Sequence, residues 1–154
     1  MHPGESMDSK LYFEDLEIGT IIEGDEVAVD RSEMLDFARR FDPHPFHLDK
    51  GAAQLLALQD VIASGAYTFA LSARAMQPVV QRLAFLPSGL GFELSFKHPV
   101  YASDRLKFRS EVAELRPSSK PQRGVAKMKH EFVNQRGESV LEISVVWLIA
   151  TRTA

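Results

Sequence analysis

The sequence predicts an α+β fold in which a curved antiparallel β-sheet wraps around one buried α-helix. Residues 66–75 are apolar nearly all round a helix, a pattern typical of a helix inside a domain rather than on its surface. Four segments with alternating apolar residues follow, at residues 91–97, 106–112, 124–134 and 140–150. An antiparallel sheet has one apolar face to cover, and a buried helix covers it.

The first part of the chain predicts one strand followed by a short helix. Residues 21–29 form the strand, with valines on one face. Asp30 and Glu33 have the spacing of a capping box, which opens a helix. Apolar residues at helical spacing continue this helix to about Arg40.

Two prolines interrupt the helical region. Because proline cannot continue a helix, Pro43 and Pro45 predict an extended loop over residues 41–48. A second short helix is predicted over residues 49–58, with its first aspartate as the cap. The buried helix is predicted to run from Gly65 to about Met76, where Pro78 disturbs it.

Composition and charge exclude several classes of protein. The chain has 154 residues, which is typical of one domain, and we expect residues 11–154 to form it behind a flexible leader, residues 1–10. The absence of cysteine excludes disulfides and thiolate chemistry. A net charge of -3 does not favour nucleic acid as a partner. The sequence has no signal segment and no apolar run long enough for a membrane, so we expect a cytoplasmic protein.

The segment at residues 41–49 carries the candidate chemistry. A carboxylate (Asp42) and an imidazole (His47) on one proline-stiffened loop can hold a single water molecule between them. The start of a buried helix, here Ser64 and Gly65, presents unpaired N–H groups and a positive dipole end to a developing negative charge. Such a site requires neither a metal nor an organic cofactor.

Each of these residues also has a purely structural interpretation. Asp42 follows a helix and precedes a proline, where aspartate often caps or turns the chain. A lone histidine such as His47, between two apolar residues, is often structural. Ser64 fits an N-cap better than an oxyanion donor. His44 is a possible pocket residue outside the pair, and we expect His98 and His130 to be structural or exposed.

Three motifs resemble the MaoC-like dehydratase family of hot-dog-fold proteins, which includes R-specific enoyl-CoA hydratases. They are residues 12–19 (YFEDLEIG), 41–49 (FDPHPFHLD) and 62–65 (IASG). The strand half agrees at residues 96–100, 104–106, 115–117 and 132–137. The similarity extends from about Leu11 to Ile149, and its motifs are more specific for the family than for the substrate.

The resemblance implies a hot-dog fold, a homodimer or a dimer of dimers, and acyl-CoA or acyl-carrier-protein thioesters as substrates. It implies that Asp42 and His47 are the catalytic pair of a hydratase or dehydratase. It also implies that Gly65 offers its backbone N–H to the thioester carbonyl, with Ser64 beside it.

One departure from the family pattern keeps open a binding subunit without activity, and a thioesterase is a second alternative that does not depend on this departure. Many relatives carry glycines in the turn before the IASG motif, whereas this chain has Leu58, Gln59 and Asp60 there. These residues restrict the backbone, so the acyl pocket could be reshaped or Asp60 could add a charge near the site. The alternatives are a hot-dog thioesterase, whose carboxylate activates water against the thioester carbonyl, and a non-catalytic subunit that binds acyl thioesters.

Overall fold

The structure, a computed structural model, describes residues 10–88 and 90–152. The predicted leader therefore lies outside the described residues, apart from Lys10. The helices are α1 (Arg31–Phe41), α2 (Pro45–Leu48), α3 (Lys50–Leu55), α4 (Gly65–Ala75) and α5 (Gln77–Arg82). The strands are β1 (Ile21–Ala28), β2 (Phe85–Leu86), β3 (Phe92–Phe96), β4 (Arg105–Pro117), β5 (Arg123–Val133) and β6 (Ser139–Ala150).

The six strands form one antiparallel sheet in the order β1-β4-β5-β6-β2, and β3 also pairs with β6. Leu106, Phe108 and Val112 of β4 are fully buried and alternate with partly or fully exposed residues, because one face of the sheet covers the core. Register shifts in the β1–β4 and β4–β5 pairs bend the strands and increase their twist. The sheet thereby curves around α4.

The central helix α4 confirms the predicted architecture with one difference. Tyr67, Leu71 and Ala75 are buried against the sheet. Other residues of the helix, such as Ala70, are exposed in the single chain. The helix is therefore apolar nearly all round but buried on one side only. The last turn approaches β1 so closely that a Cβ on Gly24 would lie 2.5 Å from the Ala75 carbonyl oxygen. Glycine is required there because any side chain would displace the helix.

One local prediction was wrong at a proline, and one helix was missed at another. The segment predicted as an extended loop contains the short helix α2, because Pro45 occupies its first turn, where no amide donor is needed. Pro78 likewise lies in the first turn of α5 and begins a helix that was not predicted. Helix α3 ends at Leu55, before the predicted Leu58, and Ala57 then adopts a positive φ of 62°.

None of the helices in residues 10–88 and 90–152 is long and apolar enough to cross a membrane. The longest, α1 and α4, have 11 residues each, and a bilayer requires about 20.

Candidate active site

Asp42 lies at the end of α1, where it is the C-cap residue, and its side chain is 31% exposed. Its Oδ2 atom accepts a hydrogen bond of 2.6 Å from the Ser64 hydroxyl and lies 3.4 Å from Nε2 of His47. Its Oδ1 atom lies 3.6 Å from Nε2 of His44. The structure therefore brings Asp42, His47 and Ser64 together, three of the four residues singled out from the sequence.

His47 lies on α2 and its side chain is buried, with 7% exposed. Its Nδ1 atom lies 2.7 Å from the carbonyl oxygen of Ile62. Because a carbonyl oxygen only accepts, Nδ1 carries the hydrogen, and Nε2 of the neutral ring presents a lone pair. This lone pair faces the Asp42 carboxylate, which is also an acceptor. The two groups are compatible when a proton lies between them, or when a molecule beside both donates a hydrogen to each.

The first turn of α4 supplies unpaired backbone donors beside this pair. The backbone hydrogen bonds of the helix begin with Thr68 N–H to the Ser64 carbonyl, so the amides of Gly65, Ala66 and Tyr67 precede the ladder. The positive end of the helix dipole lies at the same place. Gly65 therefore has the N–H and the electrostatic environment that stabilise a nearby oxyanion.

Ser64 corrects one prediction from the sequence. It occupies the N-cap position of α4, but its side chain makes no capping hydrogen bond. Its hydroxyl donates to the Asp42 carboxylate, a strong acceptor. Ser64 is therefore the N-cap residue by position, while its side-chain hydrogen bond is to Asp42 rather than to the first turn of the helix.

A cavity of about 400 Å³ opens beside His47 and Gly65, and neither Asp42 nor Ser64 lines it. Its lining is mostly apolar, and it includes His47, Gly65 and the buried Thr68. The lining residues are His47, Ile62, Ala63, Gly65, Thr68, Phe96, Lys97, His98, Pro99 and Val100. Another depression of about 380 Å³ lies among charged residues such as Glu93 and Lys129, and it contains none of the residues of the Asp42–His47 site.

The ring of Phe96 covers the start of α4. A Cβ on Gly65 would lie 3.0 Å from the nearest ring atom, which is closer than ordinary van der Waals contact. Phe96 is itself 52% exposed, so its ring borders the cavity while it packs on the glycine. Glycine at position 65 therefore lets β3 and the helix approach each other at the cavity mouth.

The departure at residues 58–60 has a defined structure. Asp60 accepts two hydrogen bonds from Arg31, at 3.0 and 3.3 Å, and one of 2.7 Å from the Val61 amide. Hydrogen bonds from Arg31 lower the pKa of the Asp60 carboxyl. Its charge is thus paired with Arg31 at the start of α1, and Asp60 does not line the cavity.

The other histidines differ in their surroundings. His44 contacts Asp42, which the sequence analysis did not anticipate, although the D-x-H spacing was a usable signal. His98 donates a hydrogen bond of 2.9 Å from Nδ1 to the Ser139 carbonyl oxygen and borders the cavity. His130 is buried beside Ser110, and burial lowers its pKa to about 4. Within the described residues, no group of three or more acidic, histidine or cysteine side chains could hold a metal ion.

Comparison with known proteins identifies the family. The family model of the MaoC like domain matches residues 15–134, which is most of the chain. The chain belongs to this family. A MaoC-like dehydratase from Rhodospirillum rubrum is 31% identical in sequence, with a TM-score of 0.83, and the alignment covers 94% of this chain and 99% of that one. The resemblance recognised in the motifs and the hot-dog fold are therefore confirmed.

Two further relatives extend this comparison. R-hydratase PhaJ1 from Pseudomonas aeruginosa is 27% identical, with a TM-score of 0.68, over 92% of this chain and 86% of that one. A UPF0336 protein from Streptomyces avermitilis is 29% identical over 76% of this chain and 81% of its own length. The chain is thus a MaoC-like hot-dog domain within a family of hydratases and dehydratases.

Proposed function

We propose that this protein adds water to 2-enoyl thioesters, and removes it from 3-hydroxyacyl thioesters, with Asp42 and His47 as the catalytic pair. One observation carries the proposal: Nε2 of His47 and Oδ2 of Asp42 lie 3.4 Å apart beside an apolar cavity. With a neutral imidazole both atoms are acceptors, which suits a water molecule that donates one hydrogen to each of them.

A water held in this way points its own lone pair at the substrate. As its oxygen bonds to the β-carbon, one of its protons passes to the Asp42–His47 pair, and the electrons of the double bond move toward the thioester carbonyl. The pair then returns a proton to the α-carbon, which completes the hydration. Dehydration follows the same steps in reverse, and no external oxidant or reductant takes part.

The enolate that forms between these steps requires a donor for its oxygen. The N–H of Gly65, at the positive end of α4, supplies it, supported by the helix dipole. A single donor of this kind typically accounts for about 10²–10³-fold in rate. Ser64 takes a different role here, since its hydroxyl holds the Asp42 carboxylate in place.

Acyl thioesters of coenzyme A or of an acyl-carrier protein fit this site as substrates. The cavity beside Gly65 is lined by Ile62, Ala63 and Val100, which suit a hydrocarbon chain. Polar groups occur at its base, at His47 and the amide of Gly65, where the thioester carbon atoms would react. The side chains that this chemistry uses are all present in the protein, so it calls for no metal and no organic cofactor.

We also propose that two copies pair through β3, as a homodimer or as part of a dimer of dimers. In the described part of the chain, β3 pairs with β6 on one side, which leaves its other edge open. Phe92, Leu94 and Phe96 on this strand are 53%, 38% and 52% exposed. An open apolar edge strand favours association, and a second copy would cover it.

Purified protein and its Asp42→Asn and His47→Gln variants test the proposal. We expect the wild type to hydrate crotonyl-CoA or a longer enoyl-CoA, which is followed by loss of the enoyl-thioester absorbance. Both variants should lose at least about 10³-fold in kcat, because the side-chain amide cannot take up the proton that the water releases, and both should keep the far-UV circular dichroism of the wild type.

The same assay separates the two alternatives. Release of free thiol from saturated acyl-CoA, without hydration of enoyl-CoA, would identify a thioesterase and refute the proposal. Binding of enoyl-CoA without turnover of short, medium or branched chains would identify a binding subunit, and that result would refute it equally.

A further inference from the structure

Three side chains outside the candidate site join α1 to α4. The Tyr67 hydroxyl donates to Oε1 of Glu33 at 2.8 Å, and the Arg74 guanidinium donates to Oε1 and Oε2 of the same carboxylate at 3.2 and 3.3 Å. We call Glu33, Tyr67 and Arg74 the Glu33 clamp. The proposed reaction uses none of these residues, and Tyr67 is 3% exposed, so its hydroxyl is aimed at Glu33 from within the core.

The Glu33–Arg74 pair lies at the opposite end of the helix pair from the catalytic carboxylate. Glu33 is in the first turn of α1, and Asp42 caps the last turn, about 14 Å away at 1.5 Å per residue. On α4, Ser64 precedes the first turn and Arg74 lies in the last, about 15 Å apart by the same measure. The two helices are therefore antiparallel and tied at both ends, by the Glu33–Arg74 pair and by the Ser64–Asp42 hydrogen bond, while the Tyr67 hydroxyl reaches Glu33 from the first turn of α4.

Apolar side chains also hold α1 in place. Met34 and Ala38 are buried, and the partly buried Phe37 lies with its ring 5.5 Å from that of Tyr67 on α4. Apolar contacts are non-directional, so they hold α1 against the core but define its position along α4 weakly. The hydrogen bonds of the Glu33 clamp are directional, and the paired oxygens of Glu33 engage the planar fork of Arg74, which fixes orientation as well as distance.

The charges of the Glu33 clamp fit a role in positioning α1 better than a role in stabilising the fold. Hydrogen bonds from Arg74 and Tyr67 lower the pKa of Glu33, so it is an anion near neutral pH. The side chains of Arg74 and Glu33 are 60% and 43% exposed, and ion pairs this open to solvent contribute little to folding. Burial, and then the Glu33 carboxylate, raise the pKa of Tyr67, which keeps its hydroxyl protonated as a donor.

We propose that Glu33 is a positioning residue, whose clamp to Tyr67 and Arg74 sets the place of α1 along α4 and thereby the place of Asp42 at the active site. A shift of α1 at its first turn is transmitted to its last, because an 11-residue helix moves as a rigid rod. Displacement of a reacting group by about 1 Å can cost 10²-fold in rate. The effect on catalysis rests on the proposed function. The coupling between the Glu33 clamp and the position of Asp42 does not.

Two variants and a matched control test the coupling. Glu33→Gln removes the charge that Arg74 binds, and Tyr67→Phe removes one hydroxyl while it keeps the ring and the Glu33–Arg74 pair. Asp36→Asn is the control, because it breaks an ion pair of the same helix, Asp36–Arg39 at 2.9 Å, which does not reach α4.

The first measurement is independent of any activity. The imidazole ¹H–¹⁵N signals of His47, assigned with a His47→Gln variant, report on the Asp42 carboxylate that faces Nε2. We expect Glu33→Gln and Tyr67→Phe to shift these signals and Asp36→Asn to leave them unchanged. Unchanged His47 signals in the folded Glu33→Gln and Tyr67→Phe variants would overturn the coupling. If Glu33→Gln does not fold, Tyr67→Phe alone decides.

The second measurement is enoyl-CoA hydration. We expect both clamp variants to lower kcat about tenfold and to leave KM within about twofold, since the substrate still enters the cavity but meets a displaced pair. Asp36→Asn should retain the kcat of the wild type. Clamp variants that shift the His47 signals but keep full kcat would overturn the catalytic part. A wild type without hydratase activity would contradict the proposed function, and the His47 signals would still decide the coupling.

Discussion

Removal of the Ser64 hydroxyl is the smallest change that tests how Asp42 is held in the site. Ser64 is fully buried, and its Oγ donates to Oδ2 of Asp42 at 2.6 Å. This short bond to an ionised acceptor is of the charge-assisted kind. In Ser64→Ala the carboxylate loses this donor, while the removed atom is small and the helix keeps its backbone.

The expected loss follows from the strength of that bond. A hydrogen bond to a charged group contributes about 1.5–3 kcal/mol, and about 1.4 kcal/mol corresponds to a tenfold change in rate. If the bond is needed to place Asp42 in the transition state, Ser64→Ala should lower kcat for enoyl-CoA hydration by roughly 10- to 100-fold. KM should change little, because Ser64 does not line the cavity.

Ser72→Ala provides the matched control. Ser72 lies on the same helix, is 2% exposed, and donates a 2.6 Å hydrogen bond to the Phe69 carbonyl, with no carboxylate involved. Both variants remove one buried hydroxyl and its hydrogen bond, so Ser72→Ala controls for the loss of a buried hydroxyl on α4. Equal kcat values for Ser64→Ala and Ser72→Ala would refute the assignment of Ser64 as the residue that holds Asp42.

Two further predictions concern stability and assembly. Burial lowers the pKa of His130 to about 4 from an ordinary 6.5, so the unfolded state binds the proton more readily. The contribution of neutral His130 to the free energy of unfolding is complete above pH 6.5 and falls by about 2 kcal/mol at pH 5. In urea unfolding, His130→Asn should lack this loss of stability at pH 5. An equal loss in the wild type and the variant would contradict the prediction. Leu94→Glu on β3 should give monomers in light scattering, whereas Ser95→Glu on the opposite face should not; dimeric Leu94→Glu would argue against pairing through β3.

Elements with a strong periodic signal were predictable from the sequence. The alternation in β4, β5 and β6 reflects one buried and one exposed face, and the apolar helix α4 reflects its place inside the curve of the sheet. The two-residue strand β2 is too short to show a period. Proline was misleading at α2 and α5, because it blocks the interior of a helix and favours its first turn.

The candidate site was predictable in its residue types and not in its contacts. Asp42 and His47 were noticed because a carboxylate and an imidazole share one short segment. The partners that orient them, the Ser64 hydroxyl and the Ile62 carbonyl, come from a later segment. A periodic pattern of apolar residues does not predict which backbone oxygen will accept a hydrogen bond from a histidine. The contact of His44 with Asp42 depends in the same way on the turn between α1 and α2.

The parts of the site are near neighbours along the chain. Asp42 and Ser64 are separated by 22 residues and His47 and Ile62 by 15, whereas the sheet pairs residues as distant as Ile21 and Glu111. Loop closure is less costly for short segments, so the contacts of the site can form before the sheet is complete. Phe96 borders the cavity from β3, a later stretch of the chain than the segment from Asp42 to Gly65. A smaller side chain at position 96 would therefore widen the cavity while the sequence of that segment stays the same.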